Sequence, residues 1–235
     1  MKITSLVSLL VAVSITSFTP VSFAAEDVSS IARGGRLYDK WFKVVGAPKP
    51  QKTHPAWPDS NTDKKGNATH RCKSCHGWDM MGKDGAYASG SYKTGIGGLK
   101  HMAGASNDKV IAVMKNSTHG YSGKMSEQDF TDLANFVTKG QIDIDAIIDR
   151  KSKMAKGDKG KGEVYYNTVC AGCHDKSGLK PDDMPPLGKL SHKNPWEIIQ
   201  KIQNGQPDEP MPAMRGFDLQ VSVDILSYLQ TLPME

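Results

Sequence analysis

Two five-residue stretches constrain this chain more than anything else in it: Cys72-Lys73-Ser74-Cys75-His76 and Cys170-Ala171-Gly172-Cys173-His174. Both read Cys-x-x-Cys-His, the pattern that attaches a c-type haem. On a helical turn the cysteines at i and i+3 share a face, and the histidine at i+4 lies beside them. Two thiols so placed can add to the two vinyl groups of one porphyrin, and the adjacent imidazole can reach its iron as the proximal ligand. The two motifs use all four cysteines of the chain. Two other chemistries also use Cys-x-x-Cys. Pairs that share a zinc usually sit closer in sequence, and zinc gives no reason for a histidine after each pair. A redox disulfide of the thioredoxin kind calls for a strand–helix–strand setting, and no such pattern flanks either motif. The reading is therefore two haem c groups, held covalently by Cys72, Cys75, Cys170 and Cys173, with His76 and His174 as iron ligands.

The first 24 residues combine Lys2, an apolar stretch from Leu6 to Val13 and the small-x-small triplet Ser22-Phe23-Ala24. That is the layout of a secretory leader cleaved after Ala24. The apolar run is too short to span a bilayer stably, and no later segment is apolar enough. The expectation is an exported protein that is not integral to a membrane, and covalent haem attachment after export places it in a bacterial periplasm. The formal charge is +5. Each haem brings roughly two propionate charges, so the overall balance says little about partners. Lysines are interspersed with acids and no recognition motif appears, so nucleic acid is not expected as a partner.

Around the motifs the chain reads as helical. Gly34 and Tyr38 lie four apart in a helix over 31–45, and Gly162 and Tyr166 repeat that spacing over 158–169. Glycine admits a close second helix, and the aromatic fills the space beside it. The same pair ahead of each motif points to a duplicated domain. Residues 46–71 hold Pro48, Pro50, Pro55 and Pro58 and read as a loop inserted before the first motif. His54, Trp57, His70 and Trp78 lie in or near it and read as packing or solvated residues. Beyond a Gly-rich run to Gly104, a helix over 107–116 turns Val110, Ile111 and Met114 inward. Ser126 and Asp129 open a helix that carries Phe130, Leu133, Phe136 and Val137, and Gly140 stops it. Residues 142–160, rich in charge, glycine and lysine, read as a solvated linker. In the second half Asn194 and Pro195 open a helix. A last helix, Asp218 to Leu232, places Val221, Ile225, Leu226, Tyr228 and Leu229 for burial.

Gly162 and Tyr166, the run Cys170 to His174, Pro185-Pro186-x-Gly, Met211-Pro212 and the closing Tyr228-Leu229 together resemble a class I c-type cytochrome domain. The first half resembles periplasmic dihaem cytochromes in its Cys-x-x-Cys-His-Gly-Trp-Asp run, Gly85-Ala86-Tyr87 and Thr94-Gly95-Ile96. The resemblance implies an all-α fold of two tandem cytochrome c domains, over 25–141 and 161–235, each wrapped around one covalent haem. It implies a methionine as sixth iron ligand in the Pro-braced loop before the last helix. That residue is Met211, with Met214 as the alternative. It also implies that a carbonyl near Pro185 or Pro186 holds the second ring nitrogen of His174. The first half lacks that proline, and Gly95 to Leu99 stands in its place. For the first iron Met125 is the candidate, since it precedes a helix as Met211 does. His119, in the same loop, is the rival, with His101 and Met102 behind it. Met80 and Met81 follow the proximal histidine too closely to cross the porphyrin plane.

The function implied is single-electron transfer between redox partner proteins, an oxidase, reductase or dehydrogenase. No catalytic triad, phosphate loop or acid pair stands out. The alternative is a haem enzyme or dehydrogenase subunit whose first haem is open to substrate, peroxidase-like or oxidising sulfur compounds. The 46–71 loop and the Gly-rich segment motivate that alternative.

Overall fold

The computed structural model describes residues 21–235, so the expected leader, residues 1–24, lies outside the described residues except for its last four. Among the described residues the chain is helical and has no strand; two isolated antiparallel bridges join Gly82 to Gly97 and Ile148 to Ala155. Helix α1 spans Val21–Val44 and is broken at Lys40. The first motif forms α2 (Cys72–His76), followed by α3 (Asn107–Lys115) and α4 (Glu127–Thr138). A short α5 (Ile144–Ile147) leads to α6 (Lys159–Tyr165), a π-helical turn at Tyr166–Cys170 and α7 (Ala171–His174), which carries the second motif. Helices α8 (Leu187–Lys193), α9 (Pro195–Asn204) and α10 (Leu219–Leu229) complete the chain.

Local signals set these boundaries. Ser126 accepts from the Asp129 amide while the Asp129 carboxylate takes the Ser126 amide, a complete capping box that satisfies two otherwise unpaired N–H groups of α4. Asp218 caps α10 through the Gln220 amide at 2.8 Å. Asn194 precedes Pro195 as expected, yet its side chain does not cap; its amide donates to Glu197 at 2.8 Å instead.

The same crossing occurs twice. Helix α1 packs on α4, and α6 packs on α10. A Cβ at Gly34 would lie 2.1 Å from the Asp132 carbonyl oxygen, and one at Gly162 would lie 2.0 Å from that of Asp224. Only glycine lets the two backbones come that close. One turn on, Tyr38 meets Phe136 with ring centres 5.3 Å apart and planes at 51°, and Tyr166 meets Tyr228 at 5.4 Å and 50°. These are tilted pairs, favoured by the ring quadrupole.

Two apolar cores result. One gathers Leu37, Tyr38, Trp41, Phe42, Phe130, Leu133 and Phe136 around α1 and α4. The other is built on Tyr166, Ile199, Ile202, Val223, Ile225 and Leu226. Trp78 and Tyr87, from just beyond the first motif, are buried in this second core. Segment 142–160 corrects the expectation of a solvated linker. Ile144 and Ile148 are each 1% exposed and belong to the second core. Each such burial contributes about 1.5–3 kcal/mol, and the charged neighbours that dominated the sequence pattern face outward around them. Arg150 of the same segment donates to the fully buried carboxylate of Asp79 at 2.7 Å, tying it to the loop after the first motif. The halves also meet directly. Arg36 donates to the Asn204 carbonyl at 3.1 Å, Gln200 to the Trp78 carbonyl at 3.2 Å, and Lys201 pairs with buried Asp39.

Candidate functional site

In both motifs the histidine is held the same way. His76 Nδ1–H donates to the Gly97 carbonyl at 2.8 Å, and His174 Nδ1–H donates to the Lys180 carbonyl at 3.0 Å. A carbonyl can only accept, so Nδ1 carries the proton and Nε2 keeps its lone pair. That is the tautomer a haem iron requires, with the ring oriented by its outer hydrogen bond. A second tether is also shared. Tyr38 donates its hydroxyl to the Gly77 carbonyl at 2.7 Å, and Tyr166 donates to the Asp175 carbonyl at 2.6 Å. Each acceptor is the residue directly after the histidine. The Gly/Tyr spacing was legible in the sequence as helix packing, but the hydroxyl bonds were not.

The Gly97 acceptor agrees with the expectation that the 95–99 segment serves His76. Its geometry comes from close backbone approach. A Cβ at Gly98 would sit 2.3 Å from the Met80 carbonyl oxygen, and one at Gly82 would sit 2.4 Å from that of Ile96. These glycines let the two segments bridge and aim Gly97 at the ring. For His174 the structure corrects the expected acceptor: Lys180, before Pro181, serves rather than a residue at Pro185 or Pro186. The chain turns back toward the ring earlier than the proline pattern suggested, and the Leu187 amide bonds instead to the Gly178 carbonyl at 2.9 Å.

None of the four cysteines is joined in a disulfide. Burial pushes the Cys72 thiol up to about 12, and the Cys75 and Cys170 thiols up to about 11. Burial likewise lowers His76, with His119 and His101 adding to the effect and the Gly97 carbonyl opposing it. A neutral imidazole is the form that binds a metal. Among the described residues no group of three or more His, Cys, Asp or Glu is arranged to hold a metal ion. The geometry therefore does not pair the two Cys-x-x-Cys runs around one zinc. Apolar side chains lie bare near the second motif: Val164, Val169 and Leu179 are 62%, 44% and 38% exposed. A porphyrin face would cover such a surface. The donor set, the free Nε2 lone pairs and this apolar rim fit a haem.

The expected sixth ligands are placed as follows. Met125 is buried in the first core, the cluster that also holds Trp41, Met114 and Tyr121. His119 stands near His76, with ring centres 6.4 Å apart and planes at 19°. Met102 is buried in the first core. Met214 is buried in the second core, with its amide on the Ile202 carbonyl at 2.9 Å. Met211 is half-buried, at the rim of a cleft shared with Arg36 and Lys43. The insertion at 46–71 is packed rather than loose. His54 and Trp57 are buried, and the His70 carbonyl accepts from Trp41 Nε1 and the Tyr121 hydroxyl, both at 3.0 Å.

The family model described as cytochrome c oxidase, cbb3-type, subunit III matches residues 157–224. That stretch begins just before α6 and ends within α10, so it includes the second motif and Met211. The match supports a c-type cytochrome, whose haem is bound covalently and transfers electrons to and from redox partners. No curated protein and no solved structure matches the chain. Among the described residues no helix is long and apolar enough to cross a membrane.

Proposed function

We propose that this chain is an exported dihaem electron carrier of the periplasm, passing single electrons between an oxidase, reductase or dehydrogenase and another redox protein. Its two units are residues 25–141 and 161–235, joined through the packed segment 142–160. Cys72 and Cys75 hold one haem c and Cys170 and Cys173 the other, with His76 and His174 on the two irons. Met211 is the sixth ligand of the second. The observation that carries this reading is the repeated construction around the histidines. Each is fixed through Nδ1 on a carbonyl, and each is followed by a carbonyl bonded to the tyrosine of a glycine-pinned helix crossing. A single haem unit would not need that construction twice.

A haem supplies a one-electron iron couple when bound. The chain's part is to orient each imidazole and to choose the residue opposite it. A methionine sulfur there favours Fe(II) and raises the potential relative to a second histidine. Met211 is free for that role, since Met214 is taken up by core packing, and Pro207, Pro210 and Pro212 limit the entropy lost in holding its loop. The test is a pyridine haemochrome assay with intact-mass measurement on protein exported from a host that matures c-type cytochromes. Two haems per chain and a mature start after Ala24 are expected; one haem or none refutes the reading.

A further inference from the structure

We infer that the sixth ligand of the first iron is His119, so that His76 and His119 grip that iron from opposite sides. This rests on the reading of Cys72 to His76 as a haem site. Two independent observations carry it.

The first is ring geometry. The imidazoles of His76 and His119 lie 6.4 Å apart between centres, 19° from parallel. That is too far for face-to-face contact. Two imidazoles on one iron, with bonds of about 2.0 Å and about 1.1 Å from nitrogen to ring centre, put their centres about 6.2 Å apart. The hydrogen bonds give both rings the right tautomer. His119 Nδ1–H donates to Asn116 Oδ1 at 3.2 Å, as His76 Nδ1–H does to Gly97, and each ring keeps a lone pair on Nε2. The backbone of His119 is braced as well. The Ala56 amide donates to His54 Nδ1 at 3.1 Å, so His54 Nε2–H must donate, and it reaches the His119 carbonyl at 3.1 Å. His54 belongs to the 46–71 insertion, which thereby positions the loop opposite the first motif.

The second observation is register. The caps Ser126 and Asp218, the carbonyls of Asp132 and Asp224 beneath the glycines, and the aromatics Phe136 and Tyr228 all correspond at one constant offset. On that offset His119 falls on Met211, each seven residues before its cap, and Met125 falls on Phe217. Phenylalanine has no donor atom, so position 125 is not where this repeat places a ligand. Met125 fills the first core instead, a common use for a flexible thioether.

A histidine pair lowers the potential of the first haem relative to a methionine-ligated one and leaves no open position for substrate. The test is EPR and absorption spectroscopy of the oxidised full-length holoprotein, with haem counted separately. Near-parallel imidazole planes predict a rhombic low-spin signal, and the far-red methionine-to-iron band should correspond to one haem in two. Met125→Leu should leave both features unchanged. His119→Ala should lose the rhombic signal and turn one haem high-spin. His119→Met should restore low spin, double the methionine band and raise one potential. Loss of methionine-band intensity in Met125→Leu, or an intact rhombic signal in His119→Ala, overturns the inference. Should His119→Ala fail to fold, the wild-type signal and Met125→Leu still decide. A haem count below two sinks the underlying reading, whereas two haems with methionine on the first iron sink this inference alone.

Discussion

Replacing Gly162 with alanine tests the helix crossing on which the second site stands. The new Cβ would sit 2.0 Å from the Asp224 carbonyl oxygen and 2.9 Å from Tyr228 Cβ. Backbone cannot yield as a side-chain tip does, so α6 and α10 must part by about 1 Å, an overpacking cost of about 1–3 kcal/mol. Parting the helices also weakens the Tyr166–Tyr228 pair, worth about 0.5–1.5 kcal/mol, and strains the Tyr166 bond to Asp175, worth about 1 kcal/mol. Alanine returns about 1 kcal/mol through helix propensity. The net expectation is a loss of about 2–4 kcal/mol, and Gly34→Ala should match it because its Cβ would meet the Asp132 carbonyl at 2.1 Å. Gly216→Ala is the control, since a Cβ there meets nothing within 4 Å. Urea unfolding of the holoprotein, followed by far-ultraviolet circular dichroism and by haem absorbance, gives the comparison. Gly162→Ala within about 0.5 kcal/mol of the control, the usual range for a neutral surface change, would refute the close crossing.

Arg150→Met strands the buried Asp79 carboxylate and should cost about 3–5 kcal/mol; adding Asp79→Asn should recover part of it, and additive losses in that double-mutant cycle would contradict the pairing. Lys73, 5% exposed, has its pKa pushed down to about 8 by burial, from 10.5 in the unfolded chain. Below pH about 8 the ammonium is charged in both states and its full burial cost is felt; above about 10.5 it is neutral in both and the cost is gone. Lys73→Met should therefore stabilise the protein by about 1–3 kcal/mol below pH 8, less than burial alone implies because the Trp78 and Tyr92 rings lie 4.9 and 5.0 Å from the ammonium. That gain should fade toward pH 10.5, and a pH-independent difference in urea midpoint would contradict the assignment. Met211→Ala should leave both haems attached, lower the potential of one and remove the methionine band; an unchanged redox titration would exclude Met211 as a ligand.

The parts of this protein that could be read along the chain are those whose physics is local. Cys-x-x-Cys-His works within one helical turn, so its chemistry needs no partner from elsewhere. The Ser126 and Asp218 caps and the glycine–tyrosine spacing likewise act over three or four residues. The segment at 142–160 misled because its lysines and glycines outnumber its four isoleucines, yet three of those, Ile142, Ile144 and Ile148, are what the second core buries. The acceptor for His76 was legible only as the segment 95–99, and that for His174 was misplaced, because a backbone carbonyl is carried by every residue and nothing in the side chains of Gly97 or Lys180 marks them.

The residue opposite the first iron shows where local reasoning ends. Met125 and His119 share one loop, and both side-chain types ligate haem; position before a helix made Met125 the candidate and His119 the rival. Folding treats them differently: Met125 joins the apolar core of α1 and α4, while Asn116 and His54 brace His119, whose ring centre lies 6.4 Å from that of His76, and our proposal that His119 is the ligand rests on that difference. The four thiols and two imidazoles that can carry haem were thus written in adjacent residues, where bond geometry is short-range. The choice of what faces them across the porphyrin depends on distances between segments far apart in the chain, and only tertiary packing sets those.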